Sequence, residues 1–106
     1  MQEITGDTAV LTFVVSNARR IDSKTLFAMV DVEVQLAGVA FLIQGVQARR
    51  LPQAGTSIHL PTFKDIDGGP KTAIILPDEV REPLADAVLA FLVEEGLARP
   101  RYRSAN

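Results

Sequence analysis

A strict two-residue alternation over residues 26–36 constrains the fold of this chain more than any other feature. Apolar side chains occupy every second position, at Leu26, Ala28, Val30, Val32, Val34 and Leu36. The positions between them hold Phe27, Met29, Asp31, Glu33 and Gln35. Because successive side chains of a strand point to opposite faces, the pattern predicts a β-strand with one buried face. A helix repeats about every 3.6 residues and would spread these acids around its surface.

Further strands are predicted on both sides of this one. Residues 8–19 and 39–48 alternate with both faces fairly apolar, which is typical of strands covered on two sides. Shorter strands are expected at residues 56–60 and 71–76, joined by a turn at Asp-Gly-Gly-Pro over residues 67–70. The sequence therefore predicts an antiparallel β-meander of about five strands.

One amphipathic helix is predicted after the meander. Its apolar stripe consists of Val80, Leu84, Val88, Phe91 and Leu92. Asp78 is a candidate N-cap, and Gly96 is the expected end. Pro83 would cost a backbone hydrogen bond in a helix that began at Asp78, so the sequence leaves two starts open, Asp78 and Pro83. The predicted class is α+β, with one C-terminal helix after the meander.

Length and composition fit one globular domain. The chain has 106 residues, of which 47% are apolar and 23% charged, and a chain of this size buries about two-thirds of its unfolded surface. We expect one domain over residues 1–98 and a basic polar tail over residues 99–106. The absence of cysteine excludes a disulfide framework and a cysteine nucleophile, and favours the cytoplasm. The longest apolar stretches are strand-sized, so we expect no membrane-spanning segment.

No set of residues predicts a reaction. His59 is the single histidine, and no orienting partner or companion metal ligand stands near it in the sequence. A calcium-loop frame opened by Asp65 would place Leu76 at its closing position, where a carboxylate is required. We therefore expect no enzyme activity, no metal, no cofactor and no small-molecule substrate, and we expect His59 to lie on a surface or dimer face.

The basic residues are expected to form local patches. The net charge of −2 argues mildly against a dedicated nucleic-acid binder. In an antiparallel meander, however, strands one and three run the same way, so Arg19-Arg20 and Arg49-Arg50 should meet at one edge of the sheet near Lys24. The helix and Glu95 carry six acids against Arg81, which makes this element a poor reader of a nucleic-acid groove.

A second group of basic residues is expected at the opposite edge, where the topology should bring Lys64 and Lys71 together with the tail arginines. The candidate nucleic-acid contacts are Lys64, Lys71, Arg99, Arg101 and Arg103. Each of these cations would act on phosphates rather than on bases.

A series of short motifs between residues 58 and 89 carries a family resemblance. In order, they are Leu60-Pro61-Thr62, Lys64, Asp67-Gly68, Pro77, Arg81-Glu82 and Ala87-Val88-Leu89. With this pattern the segment resembles the stage V sporulation protein G (SpoVG, septation regulator) family. Residues 27–34 and 41–46 look like the two central strands of that family. The resemblance implies a small β-rich protein with a C-terminal helix that forms a homodimer and binds DNA or RNA as a regulator.

Two classes of function stay open beside an enzyme. The first is a SpoVG-like dimeric regulator that binds DNA or RNA through local basic patches. The alternative is a non-catalytic protein-interaction or structural dimer that shares the fold without nucleic-acid binding. Strands that are apolar on both faces motivate this alternative, because one helix cannot cover two faces of a sheet.

Overall fold

Consecutive strands pair with one another in a simple meander. The computed structural model describes residues 11–98, which form two antiparallel sheets and one helix. The first sheet has four strands in the order β1-β2-β3-β4, and the second is a hairpin of β5 and β6. The elements are β1 (Leu11–Arg20), β2 (Leu26–Leu36), β3 (Val39–Arg50), β4 (Thr56–His59), β5 (Thr62–Lys64), β6 (Pro70–Thr72) and α1 (Asp78–Glu94). The predicted α+β class is confirmed, with six strands in the described residues instead of about five.

The region between β4 and α1 differs from the sequence prediction. Of the strand expected over residues 71–76, only Lys71 and Thr72 pair, and their partners lie in β5. The turn between β5 and β6 is closed by a hydrogen bond of 2.8 Å from the Gly68 N–H to the Asp65 carbonyl. Residues 73–76 are irregular, and Ile74 and Leu76 pack against the core. Their apolar alternation thus reflects the packing of an extended segment and not strand pairing.

The helix covers one face of the four-stranded sheet. Alternate residues of β2 from Ala28 to Val34 are buried, as the alternation predicts, and they join Leu84, Val88 and Leu92 of α1 in one core. We call this side of the sheet the helix face. The opposite side, which carries Met29 and Glu33 of β2, is the open face. Burying the apolar stripe of α1 against the helix face contributes hydrophobic stabilisation to the domain.

Phe27 departs from the simple alternation. It belongs to the set opposite the predicted buried face, yet only 6% of it is accessible. The register shifts between Leu26 and Ala28, so Phe27 has no direct partner in β3. The guanidinium of Arg50 lies 4.9 Å from the centre of its ring. A bulge and a covering cation together explain the burial.

The helix begins at Asp78 and contains Pro83. Pro77 occupies the N-cap position without a side-chain hydrogen bond, so the N-cap expected at Asp78 is wrong; Asp78 instead pairs with Arg81. Pro83 falls near the first turn, where its missing N–H removes one bond. Gly96 has a φ of 76° and follows the last turn, as predicted. Within residues 11–98 no helix is long and apolar enough to cross a membrane.

Candidate nucleic-acid interface

Both arginine pairs lie at the same end of the four-stranded sheet, as the antiparallel order predicts. Arg20 pairs with Ala28, and Arg49 pairs with Leu26, so the two pairs flank the start of β2. The β1–β2 connection adds a lysine at this end. We call these residues the arginine end, which comprises Arg19, Arg20, Lys24, Arg49 and Arg50.

The positive charge of the arginine end is only partly neutralised. The acids in this part of the chain are Asp22 and Asp31. Among residues 11–98, the one ion pair that the arginine end forms joins Arg19 to Asp31, with 3.2 Å between Nη2 and Oδ1. Arg50 instead donates from Nη1 to the Ser23 carbonyl at 3.3 Å and covers the Phe27 ring. Within residues 11–98, the other cations of the arginine end have no carboxylate partner.

A row of four side chains crosses the open face beside the arginine end. Arg19 pairs with Met29, Met29 with Gln47, and Gln47 with His59. Paired residues share a face, and neighbouring strands lie about 4.8 Å apart, so the row extends over roughly 15 Å. Two residues further along β3, Arg49 pairs with Ser57 on the same face. The open face at this end is thus polar and basic.

Asp31 is a buried carboxylate between two β-bulges. Its accessible fraction is 6%. It accepts hydrogen bonds from Asn17 Nδ2 at 2.8 Å, from Arg19 Nη2 at 3.2 Å and from the Gly45 N–H at 3.1 Å. Asn17 and Gly45 both have positive φ, at 56° and 82°, and lie where β1 and β3 shift register against β2. The bonds from Asn17 and then from Arg19 are the largest causes that lower the pKa of Asp31, against the opposing effect of its burial.

Arg49 and His59 are held by neutral partners. Arg49 donates from Nε and Nη2 to Oε1 of the buried Gln47, at 2.9 and 2.6 Å. His59 Nε2 lies 2.8 Å from Ser57 Oγ. Partial burial, and then the positive charge of Arg49, lower the pKa of His59, so the imidazole is neutral at pH 7. His59 lies on an exposed sheet face, as expected.

The predicted lysine contacts occupy the β5–β6 hairpin. Lys64 pairs with Pro70 and Lys71 with Phe63, so the hairpin brings the two lysines into one ribbon but points them to opposite faces. Lys71 Nζ lies 3.8 Å from Asp65 and 4.0 Å from Asp67. These carboxylates offset the charge of Lys71. The tail candidates Arg99, Arg101 and Arg103 lie outside the described residues.

The acids of the helix lie away from the open face. They are Asp78, Glu79, Glu82, Asp86 and Glu94. Since α1 packs on the helix face, the thickness of the sheet separates these acids from an anion bound on the other side. This thickness is comparable to the Debye length of about 8 Å at physiological salt, so their repulsion is weakened. The acidity of α1 thus opposes phosphate binding less at Arg19 and Arg49, on the open face, than at Arg20, which shares the helix face with Ala28.

We call the other end of the four-stranded sheet the apolar end, because apolar side chains are exposed there on both sides of Glu33. Val39 and Leu42 of β3 are 63% and 54% accessible, and Val14 of β1 is also exposed. β4 pairs only with residues 47–50 of β3, so within the described chain the outer edge of residues 39–46 has no strand beside it. Such an edge next to apolar side chains is typical of a surface that another chain covers.

The described residues contain no group of three or more histidine or acidic side chains arranged to hold a metal ion. In comparisons with protein-family models, curated proteins and solved structures, the chain matches none. Physical features of residues 11–98 therefore support the function proposed below, together with the motif resemblance.

Proposed function

We propose that the protein is a small, non-catalytic, dimeric regulator of the SpoVG type that binds DNA or RNA through phosphate contacts at the arginine end. The observation that carries this proposal is the concentration of five cations at one end of the sheet, with a single internal ion pair among the described residues. Lys64, Lys71, Arg99, Arg101 and Arg103 stay predicted as additional contacts. The lack of cysteine fits the reducing cytoplasm, which is the location we propose.

Phosphate contacts suit this surface better than readout of bases. Single-stranded nucleic acid is usually held by aromatic side chains on which bases stack. At the arginine end the nearest phenylalanine, Phe27, is buried beneath Arg50. Cations without a stacking platform give binding that tolerates sequence and depends on salt. We therefore expect weak sequence preference from this surface.

A dimer would double the number of phosphate contacts. The apolar end of the sheet supports it, because exposed apolar side chains such as Val39 and Leu42 next to an unpaired strand edge are typical of a protein–protein interface. Since the apolar end and the arginine end are at opposite ends of the sheet, association through the first leaves the second accessible.

The test is fluorescence anisotropy of labelled duplex and single-stranded oligonucleotides at about 50 and 200 mM salt. A double variant, Arg20→Ala with Lys24→Ala, removes two exposed cations that form no ion pair within residues 11–98. We expect weaker binding and a log–log salt slope reduced by about 0.7 to 0.9 per lost contact. Arg81→Ala is the matched control, since it removes a cation from α1, and it should leave the slope unchanged. Absence of binding by the unmodified protein at low salt would refute the proposal.

The alternative is a protein-interaction or structural dimer without nucleic-acid binding, and the exposed apolar end favours it specifically. Light scattering measures the mass of the protein and of the variant Leu42→Ser. A dimer that dissociates in Leu42→Ser, combined with no oligonucleotide binding at low salt, would select this alternative. A monomer at micromolar concentration would remove the dimer from both functions.

A further inference from the structure

Three side chains able to bind one anion lie together on the open face. Arg49 is the direct partner of Ser57, and His59 follows two positions along β4 on the same face. Directly opposed residues have Cβ atoms about 5 Å apart. From this juxtaposition we propose that Arg49, Ser57 and His59 form a subsite for one phosphate group, and that protonation of His59 strengthens its binding. The subsite rests on the proposed nucleic-acid binding and deepens it.

Arg49 is positioned in advance for such a ligand. Its Nε and Nη2 both donate to Gln47 Oε1, and Gln47 is buried. A guanidinium has five N–H donors, so three are left for a ligand, including both on Nη1. No carboxylate pairs with Arg49 within residues 11–98. Since the buried Gln47 amide fixes the guanidinium of Arg49, this side chain loses little conformational entropy when a phosphate binds.

The hydrogen bond between Ser57 and His59 couples phosphate binding to a proton. In the neutral tautomer with its proton on Nδ1, Nε2 accepts the Ser57 hydroxyl proton across the 2.8 Å contact. When a proton from solvent binds Nε2, the bond reverses and Nε2–H donates to Oγ. The Ser57 hydroxyl keeps its proton, which can then be donated to a ligand. The subsite thereby gains one positive charge and one donor, and both favour a phosphate oxygen.

The charges around His59 set the direction of this coupling. On the open face it has Arg49 on β3, Arg19 on β1 and the buried Asp31 on β2. Arg49 disfavours the imidazolium, and a bound phosphate would offset that repulsion. Binding of phosphate therefore raises the pKa of His59. By linkage, protonation of His59 must tighten phosphate binding by the same factor.

The first measurement is an NMR titration of the imidazole Hε1 proton, which needs no assignment because His59 is the single histidine. The pKa is measured for the protein alone, with inorganic phosphate, and with a short single-stranded oligonucleotide. We expect it to rise by about one unit in the saturated complex, which corresponds to about a tenfold gain in affinity on protonation. If the pKa of His59 rises with the oligonucleotide but not with inorganic phosphate, the ligand is the backbone of a nucleic acid. If the pKa rises with inorganic phosphate, the subsite binds a free phosphate. A pKa that neither anion moves would overturn the proposal.

The second measurement compares oligonucleotide affinity at about pH 5.5 and pH 7.5 at constant ionic strength. The unmodified protein should bind up to about tenfold more tightly at the lower pH, and His59→Gln should lose this difference. Ser57→Ala should reduce it, while Arg49→Lys should weaken binding at both pH values because the fork is lost. Salt-dependent binding with the same pH response in His59→Gln would refute the subsite alone. Absence of binding at both pH values would refute the proposed function as well.

Discussion

Replacing Asp31 by asparagine should destabilise the fold far more than its position on the open face suggests. The carboxylate is buried, and donors from three residues of β1 and β3 converge on it. An asparagine has the same shape but turns one acceptor oxygen into an NH₂ group, which cannot accept from any of these donors. The substitution therefore leaves at least one buried donor without a partner.

The magnitude follows from the partners. Breaking a buried ion pair costs about 3 to 5 kcal/mol, and a hydrogen bond to a charged group contributes about 1.5 to 3 kcal/mol. The Arg19 side chain is 37% accessible and can turn to water, which reduces the loss. We expect Asp31→Asn to lower the free energy of unfolding by about 2 kcal/mol, and Asp31→Ala by about 3 kcal/mol.

The assay is urea unfolding followed by circular dichroism. Glu33→Gln is the matched control, because Glu33 lies two positions along β2 on the same face and accepts an exposed hydrogen bond from Gln35 Nε2 at 2.9 Å. The control should change the free energy of unfolding by less than about 0.5 kcal/mol. In thermal unfolding, Asp31→Asn should lower Tm by about 10 °C. Equal stabilities for Asp31→Asn and Glu33→Gln would show that the carboxylate does not hold the two bulges.

Three further outcomes are expected. The pKa of Asp31 is lower in the folded state than the ordinary 3.8, so its stabilisation is present above pH 3.8 and is lost as the pH falls through the folded value; the unfolding free energies of the protein and of Asp31→Asn should converge there. Leu84→Ala should cost about 2 to 5 kcal/mol in urea unfolding, since Leu84 is 1% accessible, whereas Ile75→Ala at 86% accessibility should cost less than about 0.5 kcal/mol. Gly45→Ala should cost about 1 to 2 kcal/mol through its φ of 82° alone, because an added Cβ meets no atom within 4 Å; an unchanged stability would show that β3 relaxes at this bulge.

The strand order could be predicted from the sequence because it depends on local patterns. Period-two alternation and short connections define β1, β2 and β3, and the antiparallel order then places both arginine pairs at one end. The helix could likewise be predicted from its apolar stripe and from Gly96. Each of these features depends on residues that are close in the sequence, so no knowledge of tertiary contacts is needed.

The features that build the candidate site depend on contacts between strands. From the alternation alone, Asp31 would be taken for a surface acid. The bulges at Asn17 and Gly45 place hydrogen-bond donors beside its carboxylate, and this requires the tertiary structure. The alternation places Phe27 opposite the buried face, and it does not show that Arg50 covers the ring. Gln47 lies opposite His59 only in the observed register of β3 and β4. The alternation does not determine this register, because a shift of two residues leaves every side chain on the same face. A pattern search for residues 47, 49, 57 and 59 on one face could have found the group only with that register.

Within residues 11–98, charge is separated across the sheet, which gives this part of the molecule an electric dipole. Arg19 and Arg49 lie on the open face, and the acids of α1 lie on the helix face. A polyanion would therefore exert a torque on the protein before any contact, although the net charge of −2 makes the overall interaction repulsive. Encounters would be pre-aligned with the arginine end leading, and the rate of association would fall with ionic strength even though the overall charge predicts that it should rise.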